Sequence, residues 1–476
     1  MLALAFVIIY SRLSFHSPYL YSWDSIGFAL SIEHFDMRLH QPHPPGYILY
    51  SFTVRAVNQM VGDPNLTMIY LNIAATLGAC WFIARLILLL TGKKWLAFLG
   101  ASLYAFNPVA IFYGSVAEIY AVEGFWVSLI AYLIFASDLK PKYLLFASAC
   151  MGLAGGFRPT TEMFLLPFFL TGFIRKPLKT ALIAIVILLI VNLLWFVPLA
   201  LMSGGLTQYL HAVGDQSQRA ADTEEPGSDS ITAFKILVRL IQTASLPVLL
   251  MLLSRIHKTT ISLREGRLFL AILPPLLLFS LFHLPKDGYL LIVIPVFVAL
   301  ILLFLQGVSP KPAAAAIILG CALNFAGFVY PLKPGNSLSE ITRPNRSILE
   351  YRTRRLEQFF TIVDGLGGGI EKVFVLENRH FFPNWRTLLY YYPDHSTYVI
   401  GSRKKRAFVA KDRKFETILL PVRIPNNAIL IAIGRTTPEI TMESFNINEL
   451  RFYFTQTALL PQKFELYSGR CIVSRQ

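Results

Sequence analysis

The sequence predicts a mostly α-helical, polytopic membrane protein: a bundle of about eleven spans, interfacial amphipathic helices in the first external loop, and a C-terminal extracytoplasmic α/β domain. Three observations predict it. The chain is 55% hydrophobic and 15% charged, where soluble proteins carry about 25% charge. Apolar runs of about 15–25 residues recur up to residue 332. Beyond that point the texture changes to short apolar stretches between polar ones. The net charge of +15 fits Lys and Arg gathered on the cytoplasmic side of a membrane and implies no nucleic-acid partner. Cys80, Cys150, Cys321 and Cys471 are scattered without CxxC or CxxH spacing, so neither a thiolate zinc site nor a disulfide framework is expected.

The elements follow in order. Residues 2–15 are apolar but lack the basic start and small-residue cleavage site of a signal peptide, and read as the first span. The stretch Asp24–Phe35 places Ile26, Ala29 and Leu30 at helical spacing. Tyr47–Val61, after Pro44–Pro45, does the same with Ile48, Phe52, Ala56 and Met60. Both predict amphipathic helices lying flat at the interface. Further spans are expected near 66–91, 95–113, 117–137, 143–157, 160–174, 180–203, 233–254, 267–284, 288–306 and 313–332.

Connecting charges orient the bundle. Lys93–Lys94, Lys140 with Lys142, Arg175–Lys176 with Lys179, then Arg255, Lys258, Arg264 and Arg267, and Lys311 fall in alternate connections and predict the cytoplasmic side. The loop 21–63, the turns at Gly114, Arg158 and Leu284–Gly288, and the stretch 204–232 then lie outside. The polar segment 216–232 reads as a mobile external loop. In the tail, Arg343–Val363 reads as a helix. Val373–Leu376, Thr397–Ile400, Thr417–Val422, Ala428–Ile433 and Ile472–Val473 read as strands, with a helix near Trp385–Tyr391. The expected domains are therefore 1–332 and 333–476, the second outside. Its Tyr390–Tyr392 and Arg403–Arg406 runs could touch lipid or a glycan, and read first as surface. No internal repeat supports an inverted-repeat transporter. The absence of a eukaryotic targeting signal points to a bacterial inner membrane. Two external sequons, at Asn65 and Asn345, leave a eukaryotic secretory membrane open.

The groups that could carry chemistry collect on the external side. Asp24 follows Trp23, an interfacial anchor type, and opens a helix, where a carboxylate suits the positive dipole end. It is a candidate catalytic carboxylate or a simple N-cap. Glu118 and Glu123 stand at the outer mouth of the fourth span, where a carboxylate needs a partner or water. Glu118, nearer the interface, is the second candidate and Glu123 lies deeper. Arg158 in GGFRPTTE and Lys286 in LPKDGY occupy external turns. The two cations suit a phosphate or diphosphate, or lipid headgroups reached by snorkelling. His40 and His43 flank Pro42 and could bind phosphate, shuttle protons or, with Asp24 or Glu118, hold a divalent metal ion. They could equally be loop histidines facing water.

These segments resemble the GT-C integral-membrane glycosyltransferases, which include the protein O-mannosyltransferases and the lipid A aminoarabinose transferases. The resemblance covers roughly residues 1–332 and is most specific in WDS…HQPHPPGYILY. It is similar to the acidic residue, amphipathic helices and (K/H)PPxY turn of that class's first external loop. It implies a catalytic role for Asp24. It also implies a carrier-phosphate contact from His43, where relatives often have Lys, and His40 and Tyr47 beside it are further candidates to bind substrate or phosphate. GFRPT and PKDGYLLIVIP are similar to later cation-bearing segments, which implicates Arg158, Lys286 and Tyr289. Many members carry an Asp-Glu pair where this chain has Asp24, so metal use is not implied. The expected function is transfer of one sugar, with inversion, from a polyprenyl-phosphate donor to a lipid, glycan or protein acceptor outside the membrane. A lipid-linked glycan flippase or transporter, or a glycan polymerase or ligase, is the alternative.

Overall fold

The structure is a computed structural model. It describes residues 1–222, 228–245, 248–249, 262–281, 286–331, 344–366, 369–377, 382–400, 406–411, 414–419, 422–423, 428–433, 443–447, 450–456, 464–467 and 470–473. Arg255, Lys258, Leu284 and Arg403–Lys405 lie outside the described residues. The chain forms two compact units: Met1–Leu20 with Ser31–Leu349, and Tyr21–Leu30 with Glu350–Gln476.

The first unit is helical. Its order is α1 (Leu2–Phe15), the end of α2 (Trp23–Glu33), α3 (Ile48–Val61), α4 (Pro64–Thr91), α5 (Lys94–Ala105), α6 (Pro108–Gly114), α7 (Tyr120–Ala136), α8 (Lys142–Phe157), α9 (Pro159–Leu170), α10 (Leu178–Met202), α11 (Leu206–Asp222), α12 (Ser228–Ala244), α13 (Leu263–Leu281), α14 (Ile294–Leu305), α15 (Pro310–Val329) and the start of α16 (Arg346–Gly365). Among the described residues, α4, α10 and α15 are each long and apolar enough to cross a membrane. The chain is an integral membrane protein. The expected span 95–113 is instead a broken one, α5 and α6 meeting at 61°. Asn107 makes the break possible: its Oδ1 caps α6 by accepting from the N–H groups of Val109 and Ala110 at 2.9 and 3.3 Å. Arg12, buried in α1, donates from Nη2 to the carbonyl of Ala105. It thereby satisfies the end of α5, where a cation suits the helix dipole.

The longest helix, α4, runs through the bundle beside α5 and α7. Small residues set other close approaches. Gly152 of α8 lies against Val191 of α10, and the Trp195 indole donates to the Gly152 carbonyl at 2.8 Å. In a bilayer such backbone proximity supplies the packing that hydrophobicity cannot. One face of α10 is bare of protein, with Leu189, Leu193 and Leu194 all over half exposed, as a lipid-facing span requires.

Among the described residues, three of the basic residues predicted to share one side, Arg267, Lys176 and Arg264, each meet the C-terminal end of a helix. Arg267 reaches Asp138 and donates to Thr171 Oγ1 at 3.0 Å. Lys176 donates to the Ser137 carbonyl at 2.7 Å, and Arg264 to the Leu90 carbonyl at 3.1 Å. Lys and Arg thus close the C-terminal ends of several helices.

Two expectations are corrected. The segment 216–232 is not a loop through its length, because α11 continues to Asp222 and α12 begins at Ser228. The helical α11 is sided, with Tyr209 buried against Trp195 and Leu199 and Leu210 exposed. Its polar composition hid a helix lying along its partner. The helix α2 is not a half-exposed interfacial helix either: Ser25 through Ser31 are all buried. Its small polar residues, Ser25, Gly27 and Ser31, let protein enclose every face. By contrast α3 buries one face, through Ile48, Tyr50, Ser51 and Val54.

In the second unit, the tail builds a seven-stranded sheet in the order β4-β3-β2-β1-β6-β8-β7. Its strands are β1 (Glu371–Glu377), β2 (Ser396–Ile400), β3 (Arg406–Lys411), β4 (Lys414–Leu419), β6 (Ala428–Ile433), β7 (Glu443–Ile447) and β8 (Leu450–Gln456). Strand β1 is parallel to β2 and β6, and the outer pairs are antiparallel. The run Val373–Leu376 is wholly buried, the signature of a central strand covered on both faces. A smaller sheet joins β5 (Val422–Arg423), β9 (Phe464–Tyr467) and β10 (Arg470–Val473). The helix α17 (Trp385–Tyr391) starts at Asn384, whose Oδ1 accepts from the N–H groups of Arg386 and Thr387 at 3.0 Å each. Strands β3, β7, β8 and β9 fall on segments of mixed polarity where no strand is predicted. Pairing with neighbours, not local apolar content, makes them.

Candidate functional site

The site of the first unit grows from the short link between α6 and α7. Ser115–Ile119 runs between two helices, and α4 supplies partners for two of its carbonyls. Asn72, fully buried, donates its amide to the carbonyls of Val116 and Glu118 at 2.8 and 2.7 Å. The clamp fixes Glu118, whose side chain is buried and accepts from Lys286 Nζ at 3.0 Å. Lys286 precedes a 3-10 turn, Asp287–Ile292, that packs on α6 and α7. Its side chain stays 28% exposed. Asp287 is held by Arg239 of α12 at 2.9 Å, which sets the turn's other end. Gly288 lets the turn come close, since a Cβ there would stand 2.5 Å from the Tyr120 ring and 2.8 Å from that of Tyr113.

Beside this pair lies a second, sealed one. Arg158 sits at the α8–α9 joint and gives Nη1 to Glu123 Oε2 at 2.8 Å, while Thr161 Oγ1 donates to Glu123 Oε1 at 2.8 Å. Its guanidinium lies 4.7 Å from the centre of the Tyr120 ring and 4.4 Å from that of Tyr289. Tyr289 is thus positioned by Arg158 and by Phe279, 5.6 Å away. Lys286 Nζ also stands 5.9 Å from the Tyr120 ring centre, so Tyr120 is shared by the two cations. Tyr47 lies within electrostatic reach of Arg158, and Tyr50 within reach of Glu118.

The HPPG turn leads into this cluster. His43 Nε2 and the Tyr47 hydroxyl are 3.1 Å apart, with ring centres 4.8 Å apart. Tyr47 takes a left-handed φ of 45° as it starts α3, following Gly46 at 112°. His40, also left-handed, closes the 3-10 turn Met37–Leu39 through its N–H to Met37 O at 3.0 Å. Asp36 opens that turn. Burial works to raise its carboxyl, but the hydrogen bonds and charge of Arg38 outweigh it and hold the group below its ordinary value. Asp36 is a cap with a fixed partner.

The structure therefore brings together His43, Tyr47, Glu118, Arg158, Lys286 and Tyr289. His40 stands at the base of the turn. Asp24 belongs to the second unit, as the second residue of α2, with its N–H donating to Ser22 Oγ at 3.2 Å. Sequence reasoning missed Tyr120 and Asn72, and it set Glu123 aside. Tyr120 carried no signal beyond being an aromatic between two glutamates. No group of three or more His, Cys, Asp or Glu stands in a metal-binding arrangement among the described residues. Glu118 accepts from an ammonium and His43 faces a phenol.

Comparison with known proteins agrees with this architecture. The model of the family described as "Protein O-mannosyl-transferase TMEM260 N-terminal domain" matches residues 34–182. ArnT from Cupriavidus metallidurans bound to undecaprenyl phosphate superposes with a TM-score of 0.61 at 13% identity, over 97% of this chain and 98% of that one. The apo state of the same protein gives 0.57 at 12% identity, over 96% and 97%. The chain resembles the GT-C integral-membrane glycosyltransferases. The similarity to ArnT spans the whole fold, tail included, whereas the family match covers the site-bearing helices from α3 to the start of α10. No curated protein sequence matches the chain.

Proposed function

We propose that this chain is a glycosyltransferase that moves one sugar from a polyprenyl-phosphate donor to an acceptor on the extracytoplasmic side of the membrane, with inversion. The observation that carries the reading is the pairing of buried Glu118 with a partly exposed Lys286 beside the Arg158–Tyr289 stack, in a fold shared with a protein crystallised with undecaprenyl phosphate. An ammonium on a flexible stem can leave its carboxylate for a phosphate. Lys286, with His43 and Tyr47, would hold the donor phosphate, and His40 would shape their turn. Arg158 would act by fixing Tyr289 and adding positive potential.

In the reaction, Asp24 would take the proton of the acceptor hydroxyl. The acceptor oxygen bonds to the anomeric carbon as the bond to the phosphate oxygen breaks. The electron pair leaves on the polyprenyl phosphate, stabilised by Lys286. Glu118 would return to Lys286 as the product leaves. Glu118 and Arg158 lie at the helix ends opposite those that meet Lys176, Asp138 and Arg267, which supports an external site if the basic ends face the cytoplasm.

The test uses purified protein in liposomes given undecaprenyl-phosphate mannose labelled in the sugar. Transfer or release of label is expected. Asp24→Asn should lose about 10²–10⁴-fold while remaining folded and inserted. Wild-type turnover in that variant would refute the assignment of the base. Passage of intact labelled lipid across the bilayer without cleavage would favour a flippase.

A further inference from the structure

The second unit is built around the start of α2, the segment that carries Asp24. Three contacts hold it. The Arg386 guanidinium packs against two indoles, 4.4 Å from the ring centre of Trp23 and 4.9 Å from that of Trp385. Those two rings meet edge to face, 6.0 Å apart at 81°. Arg352 of α16 covers the Tyr21 ring at 4.4 Å and donates from Nη1 to the Tyr21 carbonyl at 3.2 Å. Arg386 is 3% exposed and Trp385 6%, so neither is placed for substrate. Each is fixed in turn: the Asn384 cap sets the first turn of α17, and α17 packs on β2 and β3. A rigid path therefore runs from the sheet through α17 to Trp23, the residue before Asp24. Local bonds finish the job, since Ser22 and Ser25 cap each other, N–H to Oγ, at 3.2 and 3.3 Å.

We infer that Arg386, with Trp385, is a positioning residue for Asp24. This rests on the reading of Asp24 as the base. A surface domain with no such part would need no buried guanidinium against the aromatic anchor of a loop more than 300 positions earlier in the chain. A stacked Arg is costly to bury and its planar fork holds geometry better than Lys. Misplacing a base by about 1 Å costs up to about 10²-fold in rate.

The experiment is a double-mutant cycle on release of sugar from undecaprenyl-phosphate mannose in liposomes. Arg386→Gln should lower kcat about 10–100-fold with the donor KM unchanged, and Arg386→Lys should recover part of it. In the Asp24→Asn background, Arg386→Gln should add nothing, because its effect passes through Asp24. A further fall there would make Arg386 a general structural residue and overturn the inference. A second readout needs no turnover. With the four cysteines replaced by alanine and Asp24→Cys introduced, Arg386→Gln should change the rate of thiol labelling by a water-soluble maleimide, and an unchanged rate would overturn the inference. Full activity in Asp24→Asn would sink the base reading alone, leaving the labelling result to decide the positioning.

Discussion

Glu118 and Glu123 stand five positions apart, the first in the link before α7 and the second in its first turn, and each has a cation, yet the two pairs are built differently. Glu123 is closed in by Arg158 and Thr161, and both side chains of the ion pair are 3% exposed or less. Glu118 is as deeply buried, but its partner Lys286 is 28% exposed. Taking two charges from water costs several kcal/mol per ion and is repaid only where geometry and extra hydrogen bonds are good. The Glu123 pair meets that demand, with both oxygens engaged and two tyrosine rings packed against the guanidinium. Opening it would strand a carboxylate in the bundle. The Lys286 ammonium keeps contact with its surroundings and can exchange partners. Burial of the carboxylate therefore does not distinguish the two pairs; the exposure of its partner does.

The contrast can be broken by mutation. Arg158→Ala should have the largest effect, about 3–5 kcal/mol of stability, seen as a lower Tm in detergent and poor yield. Replacing both partners together, Glu123→Leu with Arg158→Met, should restore much of it. An Arg158→Ala protein as stable as wild type would erase the distinction. Lys286→Ala should instead cost about 10²-fold in sugar transfer, which is about 2.7 kcal/mol of barrier, while Tm falls less than in Arg158→Ala, because the partly exposed position it vacates admits water to Glu118. If Lys286→Ala unfolds the protein as Arg158→Ala does, both pairs are scaffold. Gly288→Ala should sharpen the boundary between them. Its new methyl would press on Tyr120 and Tyr113, costing about 1–3 kcal/mol and lowering transfer by displacing the ring both cations share.

The smallest effect lies in the tail, where an ion pair is open on both sides. The hydrogen bond from Lys411 Nζ at 2.8 Å, with one from Ser396, holds the Glu371 carboxyl below its ordinary value. A carboxyl with a depressed folded value contributes stability above the unfolded value, about 4.3, and loses it as pH falls through the folded value. Lys411→Met should therefore cost under about 1 kcal/mol at pH 7 and flatten the acid limb of tail stability below about pH 4.3. Acid unfolding unchanged by Lys411→Met would remove Glu371 from that limb.

Much of the membrane part was legible in the chain. Long apolar runs such as 178–202 have one reading in lipid, since every backbone group must be satisfied within the helix. The alternation of basic loops also foretold which helix ends gather around Asp138 and Leu90. The helix α11 and the burial of α2 were not legible. Amphipathic spacing reports one apolar face, and α2 is enclosed through its serines and glycine as well. Lys286 and Arg158 were visible as cations in sharp turns, but not their partners.

The sequence by itself determined that the protein is a helical membrane bundle with a tail of different texture, and which polar groups are too costly to keep without purpose. Only the tertiary structure decided that Glu118 meets Lys286 across 168 positions and Glu123 meets Arg158 across 35, and that Asp24 packs with the tail. The reason is physical. Hydropathy is a property of each segment against its solvent, whereas an ion pair is a relation between segments, fixed by packing that no local spacing encodes.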